Sequence, residues 1–299
     1  MSVPLPKLII GANAFEGVSY MARSQSAHYL EYFAKADNVM AVLDAAYNAG
    51  VRAFTCSNTP SVMEALQKFS HTPEMSIFPV IPNAYEYAME ASEKGVLGAV
   101  LSKAKGFSMY QKVKLGLRAL TKIKSVLTKD VMDLLLELLN FELMSFEKLK
   151  LGGVLLHGQV TDLALSSHNP DILGIFQEVI RDQYGQEPML ATHNFGSLLP
   201  QLMEWGIKMP IMAPFNSKGF MMKPSKDECE QLLETSGYQV LAKKVLAGGR
   251  LSPEEAFPYL RDKKIDSVVV GIGSVPEAYH TFAVAKSALA GKAGMSGIF

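Results

Sequence analysis

The sequence is short of most features that would classify it at once. It has two cysteines, Cys56 and Cys229, in 299 residues. Their separation argues against a disulfide framework and rules out a CxxC metal site, so a reducing, cytoplasmic setting is expected. None of the six histidines forms an HxH or HxxxH pair, and no metal site is expected. No uncharged apolar run reaches ~18 residues, which excludes an ordinary membrane-spanning helix. A charged segment followed by a long apolar one is also missing at the N-terminus, so no secretory leader is expected. Lys+Arg and Asp+Glu both number 29, and this balance removes the case for nucleic acid as a partner. Charged residues make up 19% and hydrophobic residues 48% of the chain. That is too apolar for disorder and sufficient for a large core.

What is present is an alternation. Short apolar runs at Lys7–Ala12, Val51–Cys56, Met75–Ile81, Val154–His157, Pro188–Thr192, Pro210–Ala213, Tyr238–Lys243 and Asp266–Gly271 read as buried parallel strands. Helical spacing fills most gaps: Val39–Tyr47, the stretch from Pro60 to Phe69, Val131–Phe146, Asp171–Tyr184, Ser197–Trp205, the stretch near Lys226–Glu234, and those beginning at Ser252 and Pro276. Ser252-Pro-Glu-Glu255 and Ser274-Val-Pro-Glu277 carry the serine caps and acidic first turns of helix starts. Residues 95–101 offer a ninth strand candidate, the weakest, and it is set aside. The pattern predicts one (β/α)₈ TIM barrel over residues 1–299, with a helical insertion at 83–129 after the third strand.

That insertion holds a local charge. Lys94 to Lys129 contains eight lysines and one arginine and no Asp or Glu. It follows a strand end, which places it on the active-site face. It reads either as a solvated amphipathic helix, or as a lid over an anionic ligand, a partner surface or a weak contact for anionic lipid.

In such a barrel the side chains at the C-terminal strand ends face the substrate. These ends supply Asn13 and Glu16, Cys56, Asn83, His157, His193 and Asn194, Asn216 and Lys218, Lys244, and Ser274. Glu16, His157 and His193 are the candidates for acid–base work. Lys244 reads as a phosphate-binding or solvated lysine, or less readily as a Schiff-base amine. Cys56 reads as a small buried hydrophobe. Gly248, Gly249, Gly271 and Ser274, with Arg250 nearby, form glycine-rich strand exits suited to phosphate.

Several of these stretches resemble the aldo-keto reductase family. Gln239-Val-Leu-Ala-Lys-Lys244 with Gly248-Gly249-Arg-Leu-Ser-Pro-Glu-Glu-Ala256 is similar to that family's seventh strand and glycine-rich exit, and Asp266–Glu277 is similar to its eighth strand and following loop. Ala191-Thr-His-Asn-Phe195 resembles the fifth-strand end, and Val154-Leu-Leu-His157 the fourth strand with its catalytic histidine. The resemblance implies an NAD(P)-dependent oxidoreductase. Thr192 and Asn194 would then hold the carboxamide, and Lys244, Gly248, Gly249, Gly271 and Ser274 the phosphate and adenosine end of NADP or NAD. The rest of the family's catalytic set is replaced: Thr55 stands at the aspartate position, Pro60 at the tyrosine and Pro82 at the lysine. Tyr20, Tyr85 and Tyr110 lie in stretches able to supply a relocated acid. Two other readings stand beside the reductase: a non-redox barrel enzyme for a phosphorylated or anionic metabolite, and a catalytically silent binding protein. The expected ligand is a small, anionic molecule, and self-association is left open.

Overall fold

The computed structural model describes residues 4–83 and 131–290. Eight strands, β1 (Leu8–Gly11), β2 (Ala53–Cys56), β3 (Ser76–Ile81), β4 (Val154–Leu156), β5 (Pro188–Ala191), β6 (Ile211–Pro214), β7 (Val240–Lys243) and β8 (Ser267–Gly271), close into a barrel in sequence order. Every pairing is parallel, and β1 closes the ring on β8 through Ile9↔Val269 and Gly11↔Gly271. Each predicted strand forms. The candidate at 95–101 lies outside the described residues, and the barrel closes without it. The predicted 83–129 insertion also lies outside them, apart from Asn83.

The described helices are α1 (Arg23–Tyr32), α2 (Ala36–Asn48), α3 (Pro60–Lys68), α4 (Val131–Leu143), α5 (Gly158–Ser166), α6 (Asp171–Glu178), α7 (Phe195–Trp205), α8 (Lys226–Thr235), α9 (Pro253–Arg261) and α10 (Val275–Leu289). Two of them, α1 and α5, are absent from the sequence reading. Helix α1 buries no residue, so it has no apolar stripe to detect. Helix α5 starts directly at the end of β4, with His157 as its N-cap. Among the described residues no helix is long and apolar enough to cross a membrane.

Alternation along the strands sorts the core into two layers. Ile9, Ala53, Phe78, Leu155, Met189, Met212, Leu241 and Val269 pack together in the lumen. Their neighbours Ile10, Phe54, Ile77, Val154, Leu190, Ile211, Val240 and Val268 pack outward with the helices. The two glycines before β4 serve this lumen. A Cβ on Gly152 would lie 2.3 Å from the Phe78 ring and one on Gly153 2.5 Å from Met189 Cε, so only glycine lets these large side chains seal the barrel floor. Continuing the inward parity toward the C-terminal strand ends gives Thr55, His157, Lys243 and Gly271.

Candidate active site

At that end lies a cavity of about 430 Å³. Glu16, Tyr20, Thr55, Cys56, Asn83, His157, His193, Lys243, Lys244, Gly248, Gly249, Gly271 and Glu277 contribute to its wall. The three acid–base candidates Glu16, His157 and His193 are therefore brought together, as are Lys244, Gly248, Gly249 and Gly271 of the cofactor candidates. Thr192, Asn194 and Ser274 are not in the wall.

Their local partners explain why. Thr192 is fully buried; its hydroxyl donates to Asp162 Oδ1 at 2.6 Å and accepts from Asn194 N at 2.9 Å, tying the β5 exit to α5. Asn194 holds the N-cap position of α7, with its carbonyl accepting from Leu198 N at 2.8 Å. Ser274 caps α10 by accepting from Glu277 N at 3.3 Å. Arg250 is likewise engaged: its guanidinium donates to Ala247 O and Tyr20 O and lies 4.2 Å from the Phe220 ring centroid. It pins the β7 exit in place of meeting a phosphate.

His157 ends the inward row of β4. Its Nδ1 accepts from Gln159 N at 3.2 Å, which caps α5 and leaves the ring proton on Nε2. Burial, reinforced by the Lys243 charge, pulls its pKa down to about 4. His193 stands with Nε2 3.4 Å from Lys243 Nζ, and burial plus the lysine charges push it down to about 3. Both rings are neutral at physiological pH and act as neutral donors, acceptors or relays; neither is a protonated acid there.

Two lysines face the cavity from the β7 exit. Lys243 follows the inward parity, and burial lowers its pKa to about 8, opposed by the Asp162 charge. Lys244 should point outward, but its backbone turns left-handed at φ 55°, which brings its side chain to the same cavity. Asn216 Nδ2 holds that turn by donating to Lys244 O at 3.2 Å. Lys244 Nζ donates to the Tyr20 hydroxyl and sits 3.8 Å from the Tyr20 ring centroid. Burial and then the Lys243 charge lower Lys244 to about 7, while Glu16 acts the other way. Tyr20 is pushed upward by burial, opposed by its hydrogen bond with Asn13 and aided by the Glu16 charge, so its phenol keeps its proton. Glu16 Oε1 also accepts from Ser57 N at 2.9 Å, which anchors the β1 loop to the β2 exit.

The sequence reading missed Lys243, Thr55 and Glu277. Parity from Leu241 would have found the lysine. Thr55, 6% exposed, has a buried hydroxyl with no hydrogen-bond partner among the described residues, a cost usually recovered by a ligand or a water. Burial pushes Cys56 well above the usual thiol range, so it behaves as the inert apolar residue expected.

The two glycine-rich exits differ in their fitness for phosphate. After β7, Ala247, Gly248 and Gly249 all take positive φ, at 50°, 67° and 91°. The N–H groups of the cavity-lining Leu246 and Gly248 donate to no acceptor among the described residues. Two such N–H groups, two residues apart in a glycine-rich turn, suit an anion such as a phosphate or carboxylate. After β8, Gly273 N–H already donates to Glu277 Oε2 at 2.7 Å. A carboxylate occupies the place where the family resemblance put phosphate. Of the two exits, the one after β7 therefore keeps N–H groups available to an anion beside the cavity. No three metal-ligating His, Cys, Asp or Glu side chains come together among the described residues.

Fold and site together define a (β/α)₈ barrel with a lysine- and histidine-lined pocket at the C-terminal ends of its strands. No protein-family model matches the chain, and no curated protein matches it. Two solved structures of putative aldo-keto reductase from Pseudomonas aeruginosa are similar, each at TM-score 0.53 and 14% sequence identity, covering 94% of this chain and 90% of theirs. The chain thus has the aldo-keto reductase-like barrel that its strand-end motifs suggested, with a sequence far diverged from those neighbours.

Proposed function

We propose that this protein is an oxidoreductase that reduces a small carbonyl compound with a nicotinamide cofactor, NADP or NAD, using a tyrosine relocated to the β1 loop. The observation that carries this reading is the Lys244 ammonium on the Tyr20 hydroxyl inside the cavity. The lysine donates to the phenol oxygen and Asn13 also hydrogen-bonds it, so both stabilise the phenolate left when the proton passes to a substrate. The family pattern places its tyrosine where Pro60 stands and its lysine where Pro82 stands. Here the same chemical pair reaches the pocket from the β1 loop and the β7 exit.

When bound, the cofactor supplies a hydride to the carbonyl carbon. The chain's residues do the rest. His157 Nε2–H and the Tyr20 hydroxyl polarise the carbonyl oxygen. Tyr20 transfers its proton as negative charge builds there, and Lys244 offsets the charge left on the phenolate. Leu246 and Gly248 N–H groups would hold a cofactor phosphate, with His193 and the unpaired Thr55 hydroxyl near the reacting end. Lys243 and Lys244 in the cavity wall attract negative charge, so a small carbonyl compound carrying a carboxylate suits the pocket best.

The test is direct. NADPH and NADH are titrated against the protein by fluorescence, and cofactor oxidation is followed with a panel of aldehydes and 2-oxo acids. Replacing Tyr20 by Phe should lower kcat by ~10²–10⁴-fold, the usual contribution of a positioned acid, with little change in melting temperature. Failure to bind either nucleotide, or an undiminished Tyr20→Phe rate, would refute the reading.

A further inference from the structure

Lys243 takes no part in the proton transfer just described, yet it is the lysine that barrel geometry aims into the lumen. It ends β7 two residues after the lumen residue Leu241. Its main-chain oxygen is fixed by Phe215 N at 3.0 Å, so the strand end is rigid. Its Nζ meets the ring nitrogen of His193 at 3.4 Å, and no carboxylate lies within ion-pairing distance among the described residues. Asp162 acts on it only from a distance, and Asp162 Oδ1 already accepts the Thr192 hydroxyl at 2.6 Å. An amine buried in a pocket without an ion-paired carboxylate is poised to lose its proton.

We propose that Lys243 is a nucleophilic amine that condenses with the carbonyl carbon of a small 2-oxo acid, giving this pocket a covalent, nucleotide-independent chemistry. The Nζ lone pair forms the C–N bond. The nitrogen sheds two protons in turn, and both pass to the carbonyl oxygen, which leaves as water when the C–O bond breaks. One amine and one carbonyl become one imine and one water, with no net change of oxidation state. His193 Nε2 is placed to relay the first proton from Nζ. The N–H groups of Leu246 and Gly248 supply positive potential for the substrate carboxylate, while Lys244, lowered to about 7, is held on the Tyr20 hydroxyl. The lowered pKa of Lys243, about 8, provides free amine near neutrality where a surface lysine has almost none.

The experiment uses pyruvate and sodium cyanoborohydride with the full chain at neutral pH and no nicotinamide. Reduction traps the imine as a stable secondary amine, which intact-mass and peptide mass spectrometry locate. The expected result is one adduct per chain, on Lys243, formed on the order of a hundredfold faster than on surface lysines, following the difference in free-amine fraction. Lys243→Met and Lys243→Arg should both lose it. The second variant keeps a cation and so guards against misfolding as the cause, with melting temperature measured for both. Adducts spread over surface lysines, an adduct on Lys244, or labelling that survives both variants would overturn the proposal. Because no nucleotide is present, this outcome is independent of the Tyr20 and cofactor-binding tests.

Discussion

Lys243 and Lys244 are consecutive in the chain, yet both side chains reach the same cavity. Adjacent residues of a strand point to opposite faces, so one of them must leave strand geometry. Lys244 does so, at φ 55°. A left-handed backbone costs a residue with a side chain roughly 1 kcal/mol or more. The fold tolerates this cost at a position where the side chain meets Tyr20, as strained residues at functional sites do.

The first prediction follows from that strain. Lys244→Gly should relieve the backbone and remove a buried cation, stabilising the barrel by about 1 kcal/mol in urea denaturation. The same change should sharply reduce carbonyl reduction, because Tyr20 loses its partner. A destabilised variant would show that the lysine contributes more to packing than its backbone costs.

The two faces of His157 can be separated by substitution. Its Nδ1 caps α5 and its Nε2–H faces ligand. Asn carries an acceptor where Nδ1 stands, whereas Gln carries a donor near Nε2. His157→Asn should therefore retain stability and lose activity. His157→Gln should cost about 1 kcal/mol, the usual value of an N-cap, and keep more activity than the Asn variant. Equal stability of the two variants would remove the capping role.

The lysines set a pH dependence whose sign can be worked out. Unfolded, each titrates near 10.4; folded, Lys243 and Lys244 titrate at about 8 and about 7. Between roughly pH 7 and 10 the unfolded chain binds more protons, so stability rises with pH across that window. His157 and His193, lowered to about 4 and about 3, add stability above their unfolded pKa of about 6.5 that is lost as pH falls toward 4. Lys243→Met should flatten the alkaline gain, measured as the difference in unfolding free energy between pH 7 and pH 9.5. An unchanged slope would mean that Lys243 is not desolvated.

Much of this architecture was legible in the sequence. Eight apolar runs alternating with helical stretches carried the barrel, because a strand buried on both faces needs nothing but apolar residues. His157, His193 and Glu16 were legible as strand-end polar groups. Lys244 was legible, but its route into the cavity was not, since a non-glycine residue at positive φ leaves no mark in composition. Thr192, Asn194 and Ser274 lie outside the cavity wall for a common reason: short polar side chains at strand exits serve equally well as caps and ties for the following helix. Glu277 was read only as an acidic residue in a helix first turn. Its second contact, to Gly273 N, depends on a loop closure that spacing cannot reveal.

The unpaired Thr55 hydroxyl gives the last prediction. It is buried in the cavity wall with no hydrogen-bond partner among the described residues, and burying an unsatisfied hydroxyl costs about 1–3 kcal/mol. Valine has nearly the same shape and no group to satisfy. Without ligand, Thr55→Val should leave the barrel as stable as before or more stable, in a thermal melt. With ligand, the hydroxyl finds its partner, so the variant should bind more weakly, by up to about tenfold for one neutral hydrogen bond. The contrast between the two measurements is the informative result. A variant that loses stability without ligand would mean the hydroxyl is satisfied by water, and one that binds equally well would place the ligand elsewhere in the cavity.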